Sequence, residues 1–247
     1  MNLQDFFIEH PKAAMGFSGG VDSAFLLWAA VRAGADIRPY FIKTAFQPAF
    51  ELDDAKQLAR QLGVELTVIE LDILTHREVA ANPADRCYYC KTVLFQALKD
   101  QAVQDGYSLL LDGTNASDEA SDRPGMRALR ELEVRSPLRE CGLTKDEIRR
   151  RSREAGLFTW NKPAYACLAT RMPTGEALTE EMLSKIEAAE NELYRLGFSD
   201  LRVRVWYGAA RIQLPQNQMA LAAQSWEQIS SVLRPYFETV LLDLKGR

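Results

Sequence analysis

The sequence is short of the residues on which several classes of protein depend. Histidine occurs only twice, as His10 and His76, and neither lies at a metal-ligand spacing from a second ligand. The formal net charge is −4, so basic residues do not outnumber acidic ones and a general polyanion-binding surface is disfavoured. No apolar run reaches the roughly 18 residues that a membrane span requires. These absences argue against a membrane protein, a broad nucleic-acid binder and a histidine metal centre.

Cysteine is also scarce, with four residues in a chain of 247. The N-terminus has no basic segment followed by a long apolar one, so we expect no signal peptide and a cytoplasmic location. Thiols stay reduced in that compartment. The four cysteines are therefore better explained as metal ligands, reactive thiols or core residues than as disulfides.

Strand and helix patterns alternate through the first two-thirds of the chain. This alternation predicts an α/β fold, in which a parallel sheet carries helices on both faces and sites lie at the carboxyl ends of the strands. A turn-rich segment near residue 165 then precedes a smaller α+β unit, so we expect two domains, 1–165 and 166–247. The predicted strands are 12–17, 37–44, 64–71, 108–114, 201–207, 210–214 and 239–244, and the predicted helices are 24–34, 51–63, 143–156, 179–197 and 216–234.

The stretch SGGVDS, residues 18–23, follows a strand and opens a helix. Gly19 and Gly20 allow close approach of a ligand to the backbone, and the exposed N–H groups and the helix dipole favour a phosphate. Ser18 and Ser23 add hydroxyl donors, whereas Asp22 suits phosphates only through Mg²⁺ or by positioning the loop. A tight turn with a helix N-cap is the alternative explanation.

This stretch resembles the PP-loop of the ATP pyrophosphatase superfamily, whose members cleave ATP to AMP and pyrophosphate while adenylylating an oxygen of the substrate. It differs from the Walker loop, because G-x-x-x-x-G-K-[ST] is absent. The later segment LLDGTNASD places Thr114, Asn115 and Asp118 after a strand, and similar segments line the ATP site in the superfamily.

The stretch DRCYYCK contains two cysteines in C-x-x-C spacing, Cys87 and Cys90. Taken alone, this spacing fits a zinc knuckle, a redox dithiol, two ligands of an iron–sulfur cluster or ordinary helix packing.

Three further segments extend the resemblance over nearly the whole chain: RSPLRECGLTKDEIR, NKPAYACLATRMPTGEALTEEMLSKIEAAE and LRVRVWYGAARIQL. With DRCYYCK they are similar to the LarE family of ATP-dependent sulfur transferases, the pyridinium-3,5-bisthiocarboxylic acid mononucleotide synthases. The resemblance implies adenylylation of a carboxylate of pyridinium-3,5-biscarboxylic acid mononucleotide with ATP and Mg²⁺, followed by replacement of oxygen with sulfur. The product belongs to the synthesis of the nickel-pincer nucleotide, the cofactor of lactate racemase.

The family has two kinds of sulfur donor. One branch sacrifices the sulfur of a single cysteine at the position of Cys167, and a second is taken to hold a [4Fe–4S] cluster on three cysteines. Because this chain has Cys87, Cys90 and Cys167, the resemblance implies the cluster branch. A zinc site and a sacrificial Cys167 stay open, and Cys141 matches no ligand position and is interpreted as a structural cysteine.

An anionic substrate requires cations. Arg202 and Arg204 alternate along one predicted strand, so they share a side and suit a phosphate, although a solvated sheet face is the alternative. The resemblance adds Arg171 and Glu190 as substrate-handling residues. Lys91, adjacent to Cys90, is a candidate for contact with the ATP phosphates or the substrate, so the predicted catalytic residues are Cys167, Asp22 and Lys91. Simple surface positions are the alternative for Lys91 and Glu190.

Three rival functions stay open: a PP-loop tRNA thiolase, a deazapurine nitrile synthase or amidotransferase-type ligase, and a non-catalytic nucleotide or metal sensor. The first needs a broad basic surface that the net charge disfavours, and the second needs a C-terminal cysteine cluster, whereas no cysteine follows Cys167. The expected partners are a nucleotide-linked small molecule, further copies of the chain and enzymes of the same cofactor pathway, with no nucleic acid and no membrane.

Overall fold

A computed structural model describes residues 2–118 and 124–247 of the chain. The chain divides into two compact units. The first comprises Met1–Ile73 and Asp85–Ala164, and the second comprises Leu74–Ala84 and Tyr165–Arg247. In the described residues, no helix combines the length and the apolar character needed to cross a bilayer.

The first unit is built on a parallel sheet of four strands, in the order β3-β2-β1-β4. The predicted parallel sheet with helices on both faces is therefore confirmed. Pro39 lies in an interior strand, opposite Met15 of the neighbouring one, although proline has no N–H group to donate to the sheet. The strands are β1 (Lys12–Gly16), β2 (Asp36–Lys43), β3 (Thr67–Glu70) and β4 (Leu110–Leu111).

Helices make up most of the remaining regular structure. In chain order they are α1 (Leu3–Glu9), α2 (Val21–Arg32), α3 (Ala49–Leu62), α4 (Arg77–Ala80), α5 (Arg86–Gln104), α6 (Pro124–Glu131), α7 (Pro137–Glu140), α8 (Lys145–Glu154), α9 (Glu180–Arg195), α10 (Met219–Gln224) and α11 (Trp226–Leu233).

Strands β3 and β4 are much shorter than their apolar patterns predict. Before β3, the Val64 N–H still bonds to the Ala59 carbonyl and closes the end of α3, where Gly63 has a left-handed backbone (φ 68°). Residues 64–66 therefore belong to the helix cap and its exit, and the sheet starts only at Thr67.

The second unit contains a three-stranded sheet in the order β5-β6-β7, with β5 (Arg202–Trp206), β6 (Ala209–Gln213) and β7 (Val240–Leu242). Tyr207 and Gly208 join β5 to β6 with positive φ at both positions, as in the hairpin turns that match the strand twist. The predicted helix over 216–234 is wrong in its continuity, because Ser225 ends α10 and begins α11. The backbone of Ser225 leaves the helical region there (φ −98°, ψ 17°), and serine is a weaker helix former than the alanine and leucine residues before it.

The segment Leu74–Ala84 packs with this second unit although it precedes α5 in the chain. The Asn82 amide donates to the Pro173 carbonyl at 2.8 Å, and the Leu178 N–H donates to the Ala80 carbonyl at 2.7 Å. The chain therefore enters the first unit a second time at Asp85, directly before the two cysteines of α5.

Candidate active site

A cleft of about 360 Å³ opens in the first unit, at the carboxyl ends of β1, β2 and β4. This is the expected place for a site in a parallel sheet. Part of its wall is apolar, formed by Tyr40, Phe41, Ile42 and Phe95. The site residues predicted from the sequence that line it are Ser18, Gly20, Asp22, Ser23, Lys91, Thr114 and Asp118.

The turn between β1 and α2 has the geometry of an anion cradle. Gly19 has φ 69°, and a Cβ there would lie 3.0 Å from the Ala55 nitrogen, so only glycine fits between the loop and α3. Gly20 is the N-cap of α2, and the hydroxyls of Ser18 and Ser23 lie 3.2 Å apart. The loop thus presents hydroxyls and a helix N-terminus to the cleft.

A second polar turn faces this loop from the end of β4. Thr114 donates its hydroxyl to Asp112, and Ser136 donates to the same carboxylate at 2.6 Å. Asn115 is buried; its side-chain oxygen accepts from the Ser117 N–H, and its own N–H donates to Asp118 at 3.0 Å. Asn115 and Gly19 therefore shape the turns that carry the lining residues, rather than forming the cleft wall.

Asp22 is the carboxylate of the loop, and its two oxygens differ. Oδ2 accepts from the Lys145 ammonium at 2.5 Å, whereas Oδ1 is buried without a hydrogen-bond partner in the described part of the chain. Burial raises the pKa of Asp22, Lys145 lowers it, and the nearby Asp118 carboxylate raises it further. A buried carboxylate oxygen without a donor fits a cation ligand, so Asp22 suits Mg²⁺.

Lys145 was missed from the sequence, although its position carried a signal. It is the first residue of α8 and follows the N-cap Thr144, whose side chain accepts from the Glu147 N–H. A cation at a helix N-terminus is unfavourable with respect to the helix dipole. A lysine there therefore indicates a specific anionic partner, which the structure identifies as Asp22.

Lys91 is a half-buried lysine of α5 that lines the same cleft. No acceptor or carboxylate within residues 2–118 and 124–247 pairs with its ammonium. The cleft thus contains a cation whose charge the described residues leave uncompensated, beside a loop suited to phosphate.

The cysteine pair lies near the start of α5. Cys87 and Cys90 are three residues apart and so share a helix face; Cys87 is exposed and Cys90 half-buried. None of the four cysteines forms a disulfide. Burial raises the pKa of Cys141, which packs against the hydrophobic core as a structural residue does. In the part of the chain that the structure describes, no group of three Cys, His, Asp or Glu side chains is arranged to hold a metal ion.

In the second unit, Arg171 and Glu190 form a buried ion pair. Their side chains are 0% and 1% exposed, and the guanidinium donates from Nε to Oε1 at 2.8 Å and from Nη2 to Oε2 at 3.1 Å. Glu190 also accepts from the Tyr165 hydroxyl at 2.6 Å and the Val203 N–H at 2.9 Å. Burial alone would lower the pKa of Arg171, but the hydrogen bonds and charge of Glu190 outweigh it and raise that pKa. This geometry gives both residues a structural role, and direct substrate contact by them stays a prediction.

The same arginine fixes the backbone that carries Cys167. Arg171 Nη1 donates to the Ala166 carbonyl at 2.6 Å and to the Cys167 carbonyl at 3.3 Å. The Thr170 hydroxyl donates to the Cys167 carbonyl at 2.8 Å. Cys167, a half-buried thiol, is thus held in a turn of defined geometry.

Arg202 and Arg204 lie on the face of β5 opposite the buried Val203 and Val205. Arg204 donates to the Gln213 side chain at 2.7 Å and to the Thr170 carbonyl at 2.6 Å, and Arg202 lies over the Tyr165 ring. Burial lowers the pKa of both arginines, and the charge of Arg171 lowers it further. Their positive charges are therefore close together, which favours binding of an anion.

Comparison with known proteins identifies relatives of the whole chain. The profile of the family described as queuosine biosynthesis protein QueC matches residues 12–86. An uncharacterized protein of Synechocystis sp. is 37% identical over 99% of this chain and 93% of that protein. The tRNA-specific 2-thiouridylase MnmA of Thermotoga maritima is 25% identical over 61% of this chain and 54% of that protein.

Pyridinium-3,5-bisthiocarboxylic acid mononucleotide synthase of Lactiplantibacillus plantarum is 33% identical over 95% of this chain and 86% of that protein. A match of this extent, with the loop and cleft described above, shows the family. The chain belongs to the LarE family of sulfur transferases, a PP-loop family.

Proposed function

We propose that the protein is an ATP-dependent sulfur transferase that converts a carboxylate of pyridinium-3,5-biscarboxylic acid mononucleotide into a thiocarboxylate. The carboxylate oxygen attacks the α-phosphorus of ATP and releases pyrophosphate. Sulfide sulfur then attacks the acyl adenylate and releases AMP. The observation that carries the proposal is the cleft in which the 18–23 loop, Asp22 and Lys91 meet.

The chain's own groups account for the adenylylation half. The N–H groups of the loop and the N-terminus of α2 bind phosphate, and Lys91 adds a cation without a protein partner among the described residues. Asp22 would hold Mg²⁺ through its unpaired oxygen while Lys145 holds the other. When bound, Mg²⁺ neutralises charge that develops on the phosphates. The apolar wall at Tyr40 and Phe95 suits the adenine base.

For the sulfur half we propose Cys87, Cys90 and Cys167 as the ligands of a [4Fe–4S] cluster. A cluster on three thiolates would supply an open iron for a transferable sulfide. The shared helix face of Cys87 and Cys90 supports these two as ligands, and Cys167 is added on the family resemblance. Direct donation of sulfur by Cys167, which would leave dehydroalanine, is the competing route.

For the substrate we propose that Arg202 and Arg204 bind the phosphate and that Arg171 and Glu190 support them as further substrate-handling residues. The lowered pKa values on β5 support an anion site, since an anionic ligand would relieve the repulsion between the guanidinium groups. We further propose a homo-oligomer that acts in the cytoplasm with enzymes of the same cofactor pathway.

The proposal is tested by an anaerobic assay with ATP, Mg²⁺, sulfide and the biscarboxylate nucleotide. We expect pyrophosphate release and a thiocarboxylate product by mass spectrometry, both lost in Asp22→Asn. Thiolation of tRNA without any thiocarboxylate would instead favour the function of the 2-thiouridylase relatives. Turnover by iron-free protein, with loss of sulfur from Cys167, would keep the enzyme and overturn the cluster.

A further inference from the structure

Gly125 of α6 lies against the side chain of Lys91. A Cβ built on Gly125 would be 3.0 Å from Cδ of Lys91 and 3.2 Å from its Cε. The φ of Gly125 is outside the left-handed range, so its backbone is open to any residue. Since alanine has the higher helix propensity, the glycine is explained by the space that it leaves and not by its conformation.

The occupant of that space is the stem of a residue in the nucleotide cleft. Lys91 lines the cleft with the 18–23 loop, and its ammonium has no partner among residues 2–118 and 124–247. Nothing described at the charged end therefore fixes the side chain. Its direction is set by contacts along the stem, where Gly125 lies.

Helix α6 cannot easily yield to an added methyl group. The Tyr88 hydroxyl of α5 donates to Glu131 of α6 at 2.7 Å, and Arg127 of α6 lies 3.8 Å from the centre of the Tyr88 ring. Ala128 and Leu129 are fully buried. Because α6 is fixed to α5 in this way, the flexible lysine stem is the part that would move.

We propose that Gly125 is a positioning residue for ATP: its missing side chain leaves the path along which Lys91 reaches the phosphates. This inference rests on the proposed ATP-dependent function. A methyl group at Gly125 displaces the lysine stem, and the ammonium loses its place in the cleft.

The test compares Gly125→Ala, Lys91→Ala, the double variant and the exposed-surface control Arg130→Ala on the full-length chain. Pyrophosphate release, ATP affinity by titration calorimetry and thermal unfolding are measured for each. We expect Gly125→Ala to lower kcat/KM for ATP by about 10- to 100-fold, as a displaced catalytic contact does, without a fall in melting temperature. The double variant should be no worse than Lys91→Ala, and Arg130→Ala should match the wild type.

Each other outcome overturns the inference. Gly125→Ala with wild-type affinity and rate would show that the space is not needed. If Gly125→Ala lowered kcat/KM by the same factor in the Lys91→Ala background, the added methyl group would act through a residue other than Lys91. A fall in melting temperature in Gly125→Ala that persists in the double variant would show the same. If the wild-type chain neither binds ATP nor releases pyrophosphate, the proposed function fails with it, whereas an active wild type with an unaffected Gly125→Ala removes only this inference.

Discussion

Replacement of Glu190 with glutamine should destabilise the second unit far more than the loss of one surface charge. The glutamine has the size of the glutamate but cannot balance the buried guanidinium of Arg171. It also replaces one carboxylate oxygen with an amide N–H₂ group, which faces other donors. If the amide replaces Oε2, those donors are Arg171 Nη2 and the Tyr165 hydroxyl. The variant therefore leaves a buried charge unpaired and at least one donor unsatisfied.

The magnitude follows from the burial of the pair. Breaking a fully buried ion pair by removing one partner costs about 3–5 kcal/mol, because the remaining charge stays out of water. That is a large share of the roughly 5–15 kcal/mol by which a domain is stable. Arg202 and Arg204 add to the cost, because Glu190 is the carboxylate that offsets their mutual repulsion with Arg171.

The assay is urea unfolding of the full chain, with Glu181→Gln as the matched control. Glu181 lies on the same helix and pairs with Lys185, but it is 78% exposed, so its loss should leave the urea midpoint close to that of the wild type. With a urea slope of about 2.5 kcal/mol per molar, the Glu190→Gln midpoint should fall by about 1–2 M. If the two variants differ by less than about 1 kcal/mol in the free energy of unfolding, the buried pair does not stabilise this unit and the reasoning is refuted.

Three further predictions concern the reaction. Asp22→Ala should reduce pyrophosphate release at least about 100-fold while iron content stays at the wild-type level; an equal loss of iron would contradict the separate roles. Lys145→Met should move the acid limb of pyrophosphate release to higher pH, because the lysine lowers the pKa of Asp22 and the carboxylate must be ionised to hold a cation; a limb at unchanged or lower pH would contradict this. Protein purified without oxygen should contain about four iron and four sulfide per chain, and Cys87→Ala should lose both; wild-type iron content in that variant would exclude the cysteine as a ligand.

Much of the fold could be predicted because it depends on local pattern. The parallel sheet followed from apolar strands that alternate with helices, and helix α8 lies within the predicted range 143–156. Helix α5 was not predicted, since its apolar residues do not concentrate on one face: only Arg86, Leu98 and Ala102 are buried along its length.

The pairings within the candidate site were harder to predict, because they join residues far apart in the chain. Lys145 and Asp22 are separated by 123 positions, and no local pattern relates them. Glu190 was associated with substrate through the family resemblance, because the sequence does not show the arginine that it contacts. The path of Leu74–Ala84 depends on contacts such as that of Asn82 with Pro173, which no local period encodes.

Two local features, one in each unit, bear on the kind of substrate. In the first unit a buried oxygen of Asp22 lacks a donor among the described residues, which favours a cation. In the second unit Arg202 and Arg204 have lowered pKa values beside Arg171, which favours an anion. Both features are small and local, and the chain as a whole carries a net charge of −4. A tRNA substrate requires positive charge spread over a wide surface, because each phosphate contact adds a separate electrostatic contribution. This distribution of charge supports the proposed ligands, a magnesium nucleotide and one small phosphorylated carboxylate, over a polynucleotide.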